Sequence, residues 1–89
     1  MKMRKSTFNV YADQGHAWVK VRKVLLLKMG IADKISSYSY MRGDDAYLEE
    51  DCDLTLFANT YREMGGEIKY KFHHTDKQSK IRSYQHYSI

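Results

Sequence analysis

The stretch between residues 53 and 73 most constrains the fold of this chain, because a helical period there gives way to a strand period. Between residues 54 and 61 the apolar side chains follow the i, i+3, i+4, i+7 spacing, at Leu54, Phe57, Ala58 and Tyr61. This spacing predicts an amphipathic helix that ends at Gly65-Gly66. Over residues 67–73 apolar and basic residues then alternate, the apolar set being Ile68, Tyr70 and Phe72. The alternation predicts a half-buried strand whose apolar face packs under the helix.

Two strands are predicted before this unit. Residues 7–11 favour a strand with Phe8 and Val10 on one face, and a second alternation follows at Ala17, Val19 and Val21. The intervening Asp13-Gln14-Gly15 predicts a turn in which Gly15 takes a positive φ. We therefore expect a hairpin whose Val19 and Val21 belong to the same sheet as Ile68, Tyr70 and Phe72.

The middle of the chain predicts a short helix and a second hairpin. Residues 22–29 favour a helix closed by Gly30. Residues 37–41 favour an extended segment, and a turn at Gly43 leads to a strand over residues 46–49. Asp51 or Asp53 is expected to cap the next helix, since a carboxylate accepts hydrogen bonds from free helix amides. The predicted order is β-β-α-β-β-α-β, an α+β domain with a mainly antiparallel sheet and two helices.

The chain length of 89 residues suits one domain. We assign residues 1–76 to the α+β domain and residues 77–89 to a basic C-terminal tail that contains tyrosine and histidine. No strong hydrophobic period continues past residue 76, so the sequence leaves open whether this tail is mobile or folded.

Charge is distributed in three blocks along the chain. Residues 1–28 carry a net charge of +6, residues 29–53 a net charge of −5, and residues 54–89 a net charge of +3. The middle block contains DDAYLEEDCD, which lacks the spacing of a calcium loop. It supplies a candidate binding surface, the acidic strip, consisting of Asp44, Asp45, Glu49 and Glu50. The alternatives are a solvated turn with a helix cap, and a magnesium site that would also need substrate phosphates.

Basic and aromatic residues follow one another late in the chain. On the strand over residues 67–73, the side chains opposite the apolar face are Lys69, Lys71 and His73. Together with Lys77, Lys80, Arg82 and Tyr84 they form a second candidate binding surface, the basic surface. Cations contact phosphates and aromatic rings stack on bases, which suits RNA or single-stranded DNA. The chain carries no known RNA-binding signature, so a solvated face is the alternative.

Histidine and cysteine give no motif for metal or covalent chemistry. Adjacent His73 and His74 point to opposite faces of a strand, and the single cysteine, Cys52, forms no C-x-x-C pair. We expect no metal, no cofactor and no catalytic activity, with Cys52 a buried or half-buried structural thiol. An enzyme centred on His73, His74 or His86 is the alternative. The lone cysteine fits a reducing compartment, and no apolar run approaches the roughly 20 residues of a membrane span, so we expect a cytoplasmic protein.

Three phrases of the sequence resemble small uncharacterised open reading frames of bacteriophages, prophages and bacterial mobile elements. They are YADQGHAWVKV, GIADKISSYSYMRGDDAYLEEDCD and HHTDKQSKIRSY. The resemblance implies a bacterial or phage cytoplasmic setting, in which small proteins often bind and block a host machine. We therefore expect a non-enzymatic inhibitor of a host defence complex, comparable to anti-CRISPR and anti-restriction proteins. The alternative is an accessory protein that binds RNA or DNA through the basic surface.

Overall fold

A single mixed sheet with two helices on one face organises the chain. The structure, a computed structural model, describes residues 3–89. The strands are β1 (Lys5–Ala12), β2 (Ala17–Arg22), β3 (Tyr40–Arg42), β4 (Asp45–Glu49), β5 (Glu67–His74) and β6 (Gln85–His86). The helices are α1 (Lys23–Lys28) and α2 (Asp53–Glu63), with short 3₁₀ turns at Ala32–Lys34 and Lys80–Ser83. The predicted α+β class and element order are confirmed, and β6 is an additional strand.

The sheet has the strand order β5-β1-β2-β4-β3-β6. β5 pairs with β1 in parallel, and every other pairing is antiparallel. The parallel pair requires a crossover, because β4 and β5 lie on opposite sides of the β1–β2 hairpin, and α2 provides it. No helix within residues 3–89 is long and apolar enough to cross a membrane.

Gly66, which follows α2, lies so close to the Tyr61 ring that only glycine fits there. A Cβ at Gly66 would lie 2.3 Å from ring carbons of Tyr61, a distance that real Cβ atoms do not adopt. Tyr61 is held there because its hydroxyl donates to the carbonyl of Arg4, at 2.7 Å. The predicted end of the helix at Gly65-Gly66 is thus confirmed, and Gly65 has a φ of 85°.

The main core lies between the two helices and one face of the sheet. Phe57 is fully buried, and the ring of Phe8 meets it edge to face at 5.1 Å. The remaining predicted core residues are buried or packed against that core, namely Val19, Val21, Leu54, Ala58, Tyr61, Ile68 and Tyr70.

Phe72 was wrongly predicted to join this core, since it is 73% exposed. Its position on β5 explains the exposure. An 11-residue helix such as α2 spans about 16 Å, whereas an eight-residue strand such as β5 spans about 26 Å. The strand therefore continues beyond the helix, and its far end carries an apolar residue without cover.

The opposite face of the sheet is covered at its centre by residues 75–87. Ile81 packs there in a second cluster with Trp18 and Tyr47, and the rings of Tyr11, Tyr40 and Tyr84 border it. Tyr87, near the end of this segment, is buried in the main core instead, and its hydroxyl donates to the carbonyl of Ala32 at 2.7 Å. Residues 79–87, which belong to the tail whose order the sequence left open, therefore pack as part of the fold, and we call residues 75–87 the strap.

Two local predictions were wrong. Among residues 3–89 the glycines with positive φ are Gly30, Gly43 and Gly65, so Gly15 does not need one. The carboxylate of Asp13 closes that turn instead, accepting from the backbone N–H groups of Gly15 and His16, each at 3.0 Å. Neither Asp51 nor Asp53 caps α2, whose N-cap residue is Cys52 without a side-chain cap. The Asp53 carboxylate bonds to a neighbouring loop instead.

Candidate functional site

One buried ion pair fastens the strap to the β1–β2 turn. Arg82 Nε and Nη2 donate to the two carboxylate oxygens of Asp13, at 2.6 and 2.9 Å, and the N–H of Ser79 adds a bond of 3.0 Å. The side chain of Asp13 is only 2% exposed. The Arg82 guanidinium holds the pKa of Asp13 well below its usual range, and backbone N–H groups contribute in the same direction against the effect of burial. Arg82, a predicted member of the basic surface, is therefore committed to a structural contact.

Beside this ion pair lies a cavity of about 460 Å³, which we call the aromatic–acidic cavity. Its wall is formed by His16, Trp18, Tyr38, Tyr40, Glu49, Asp51, Cys52 and Arg82. Trp18 and Glu49 are direct cross-strand neighbours on β2 and β4, so the sheet itself sets the distance between ring and carboxylate. The ring of Tyr40 meets Trp18 nearly edge to face, at 6.1 Å between centroids.

Glu49 places a carboxylate in the cavity wall without a cationic partner. The residue is 8% exposed, and its Oε2 accepts from the backbone N–H of Asp51 at 3.1 Å. Within residues 3–89 neither Glu49 nor Asp51 takes part in an ion pair. The cavity therefore carries negative charge, because the charge of Arg82 is already matched by Asp13.

A buried hydrogen-bond network positions the loop that brings Tyr38 to the cavity. The Asp53 carboxylate accepts from the hydroxyl of Ser39 and, at 2.7 Å, from the hydroxyl of Ser36. The backbone N–H of Glu49 in turn donates to the Ser39 hydroxyl at 2.9 Å. The same serine thus links the start of α2 to the end of β4, while Tyr38 stays 72% exposed.

The acidic strip does not form one continuous patch. Asp44 is exposed at the β3–β4 turn, and Asp45 lies 3.7 Å from Lys20 Nζ and 3.9 Å from Arg22 Nε. Glu49 and the exposed Glu50 lie at the other end of β4. Glu49 lies four positions after Asp45 along the strand, about 13 Å away, so the charges of Glu49 and Glu50 are separated from those of Asp44 and Asp45.

The structure brings most of the basic surface together around Tyr11. His73 stacks on the Tyr11 ring at 4.8 Å between centroids, and its Nε2 lies 3.0 Å from Asn9 Oδ1. Lys69 and Lys71 share its face of β5 and are exposed. A second cavity, of about 440 Å³, is lined by Tyr11 and by three further members of the surface, Lys77, Lys80 and Tyr84.

Cys52 is exposed and lines the aromatic–acidic cavity, so its expected burial was wrong. His74 Nε2 lies 3.3 Å from Asp76 Oδ1, on the other side of β5 from His73. No cluster of three metal-ligating side chains occurs in the described part of the chain.

Sequence reasoning missed six residues of the aromatic–acidic cavity as members of a site. They are His16, Trp18, Tyr38, Tyr40, Asp51 and Cys52. They come from the β1–β2 turn, β2, the 36–39 loop, β3 and the segment that joins β4 to α2, so no single local spacing joins them. In the sequence, only the proximity of His16 to Trp18 and of Glu49 to Cys52 indicated that members of this site lie close together.

The sequence matches no protein-family model, and comparisons with curated proteins and with solved structures give no match.

Proposed function

We propose that the chain is a non-enzymatic accessory protein of a phage or mobile element, and that it binds and inhibits a host defence complex as anti-CRISPR proteins do. Such a protein acts in the cytoplasm of the bacterial host. One observation supports this function more than any other. The aromatic–acidic cavity combines three aromatic rings with two carboxylates that have no cationic partner among residues 3–89.

The chemistry of this cavity suits a basic protein surface. Defence complexes guided by RNA hold their nucleic acid in a positively charged channel. Carboxylates attract such a channel and fix the orientation of the encounter, and aromatic residues supply much of the binding energy of an interface. The exposed Tyr38 and Asp51 extend the same character to the rim of the cavity, and the exposed Glu50 lies between Glu49 and Asp51 in the sequence. The inhibitor would thus occupy the channel that the nucleic acid needs.

The proposal is tested by phage plating on bacteria that carry an active CRISPR or restriction system. Expression of the protein should raise phage survival, and the double variant Glu50→Lys, Asp51→Lys should reduce that gain at least about tenfold, equivalent to about 1.4 kcal/mol of binding. Glu63→Lys, Glu67→Lys is the matched control. It reverses two charges as well, but both residues are exposed and neither lines the cavity. The proposal would be contradicted if expression of the folded parent protein left phage survival unchanged. It would also be contradicted if the two double variants reduced phage survival equally.

A second function, nucleic-acid binding, is favoured by the arrangement of β5. Lys69, Lys71 and His73 share one face of an edge strand, and the stacked Tyr11 provides a ring beside them. Lysines suit phosphates and rings suit bases. This accessory function would use the basic surface without Arg82.

A further inference from the structure

We propose that the aromatic–acidic cavity receives an arginine side chain of a partner protein. This inference rests on the proposed function, since it names the chemical group through which a basic partner is held. The group is a guanidinium, and its counter-charge is the carboxylate of Glu49, with Asp51 at the rim.

Charge selects a cation as the ligand. Glu49 is more than nine-tenths buried, and the polar contact made by its carboxylate within the described residues is the N–H of Asp51. A buried carboxylate without a cation is costly, and a bound cation removes that cost. Arg82 does not serve this purpose, because both oxygens of Asp13 hold its guanidinium. An anionic ligand such as a phosphate would meet repulsion from both Glu49 and Asp51.

The aromatic walls favour a planar cation. Cations bind over the faces of tryptophan and tyrosine rings, and a guanidinium also stacks on them. It presents paired N–H donors that match a carboxylate, whereas an ammonium group offers a point charge. The molecule already contains this arrangement, because the guanidinium carbon of Arg82 lies 5.6 Å from the centroid of the Trp18 ring while its nitrogens hold Asp13. A second guanidinium could pair with Glu49, the cross-strand neighbour of Trp18.

The cavity is large and open enough to admit a side chain. Its volume of about 460 Å³ falls within the range of about 300–1,000 Å³ typical of ligand pockets, which leaves room for an arginine side chain. Exposed residues form its rim, namely His16, Tyr38, Asp51 and Cys52. An arginine that projects from a partner surface can therefore enter without displacement of the strap.

The test is a titration followed by tryptophan fluorescence, because Trp18 is the one tryptophan of the chain. The probes are N-acetyl-arginine amide, N-acetyl-lysine amide and guanosine monophosphate. The arginine compound should give a saturable change and bind at least about threefold more tightly than the lysine compound, with no saturation by the nucleotide. Saturation by the nucleotide alone, equal binding of the two amides, or no saturable change would overturn the inference.

Two variants locate the site, with a matched control. Glu49→Gln should weaken binding of the arginine compound at least about fivefold, whereas Glu63→Gln removes the same charge from an exposed residue that does not line the cavity and should leave binding unchanged. Tyr38→Ala changes an exposed ring, so it keeps the fold and should also weaken binding. Equal effects of the two glutamate variants, or unchanged binding in Tyr38→Ala, would contradict the assignment.

The titration needs no host complex, so its failure is separate from a failure of the proposed function. Arginine binding without any gain in phage survival would support the pocket and contradict inhibition. A gain in phage survival that Glu49→Gln leaves unchanged would support inhibition and contradict the pocket.

Discussion

Asp13 and Arg82, 69 residues apart in the sequence, are joined by two hydrogen bonds of 2.6 and 2.9 Å between carboxylate and guanidinium. This contact fixes the strap, whose residues line both candidate binding sites. Arg82 lines the aromatic–acidic cavity, and Lys77 and Lys80 border Tyr11 in the second cavity. The ion pair therefore supports the geometry of both sites although it belongs to the binding chemistry of neither.

Asp13→Asn should loosen the strap. An amide cannot accept both Arg82 donors, and the guanidinium loses its counter-charge. We expect the melting temperature to fall by about 5 °C or more, and amide hydrogen exchange to accelerate within residues 79–87. Asp76→Asn is the control, because its side chain is 92% exposed. A melting temperature equal to that of the control would contradict the structural role of the ion pair.

The same ion pair should make stability depend on pH in the acid range. The pKa of Asp13 is lowered in the folded state, chiefly by Arg82, so the unfolded state takes up a proton first as pH falls. The stabilisation is complete above the unfolded pKa of about 3.9 and is lost progressively below it. The difference in melting temperature between the parent and Asp13→Asn should therefore narrow from pH 7 to pH 3. A constant or widening difference would contradict this linkage.

Two phenylalanines should differ sharply in their contribution to stability. Phe57→Ala removes a fully buried ring and should reduce the free energy of unfolding by about 3–5 kcal/mol. Phe72→Ala removes the same side chain from an exposed position and should cost within about 0.5 kcal/mol. Urea denaturation measures both. Similar losses for the two variants would show that the far end of β5 is covered in solution.

Periodic segments account for what the sequence predicted. The α2 stripe and the β5 alternation identified a helix on a sheet, because burial of one face imposes a repeat on the sequence. The alternation wrongly predicted burial of Phe72. The apolar repeat continues to this residue, but α2 is too short to cover it. Periodicity also failed for the strap, whose anchors Ile81 and Tyr87 are single buried side chains in a 3₁₀ turn and beside a two-residue strand.

The candidate site was less predictable than the fold. Acidic and basic residues could be listed from the sequence, but their partners could not. Asp45 is matched by Lys20 and Arg22 across the sheet, and Arg82 by Asp13, whereas Glu49 forms no ion pair within residues 3–89. Which charge remains available depends on strand register and on the strap, and neither follows from local spacing.

If the basic surface binds RNA or DNA, the affinity should decline steeply with salt, by about 0.7–0.9 log units per log unit of salt for each phosphate contact. Replacement of Lys77 and Lys80 by glutamine removes up to two phosphate contacts. The slope should then become shallower by about 1.4–1.8 log units per log unit of salt. Lys28→Gln, Lys34→Gln is the matched control, because both lysines are exposed and lie far from the strap in sequence. Filter binding over a range of salt concentrations provides the slopes. A slope near zero, or equal slopes for the two variants, would reject nucleic-acid binding.

The two ends of the acidic strip should contribute unequally to inhibition. At the turn end Asp45 already has Lys20 and Arg22 as neighbours, so Asp44 is the charge there that forms no ion pair within residues 3–89. At the other end Glu50 and Asp51 adjoin the aromatic–acidic cavity, where rings add binding energy to charge. Asp44→Lys should therefore reduce phage survival by less than about threefold, against at least about tenfold for Glu50→Lys, Asp51→Lys. After a check that both melt as the parent does, a larger loss for Asp44→Lys would place the binding surface at the β3–β4 turn.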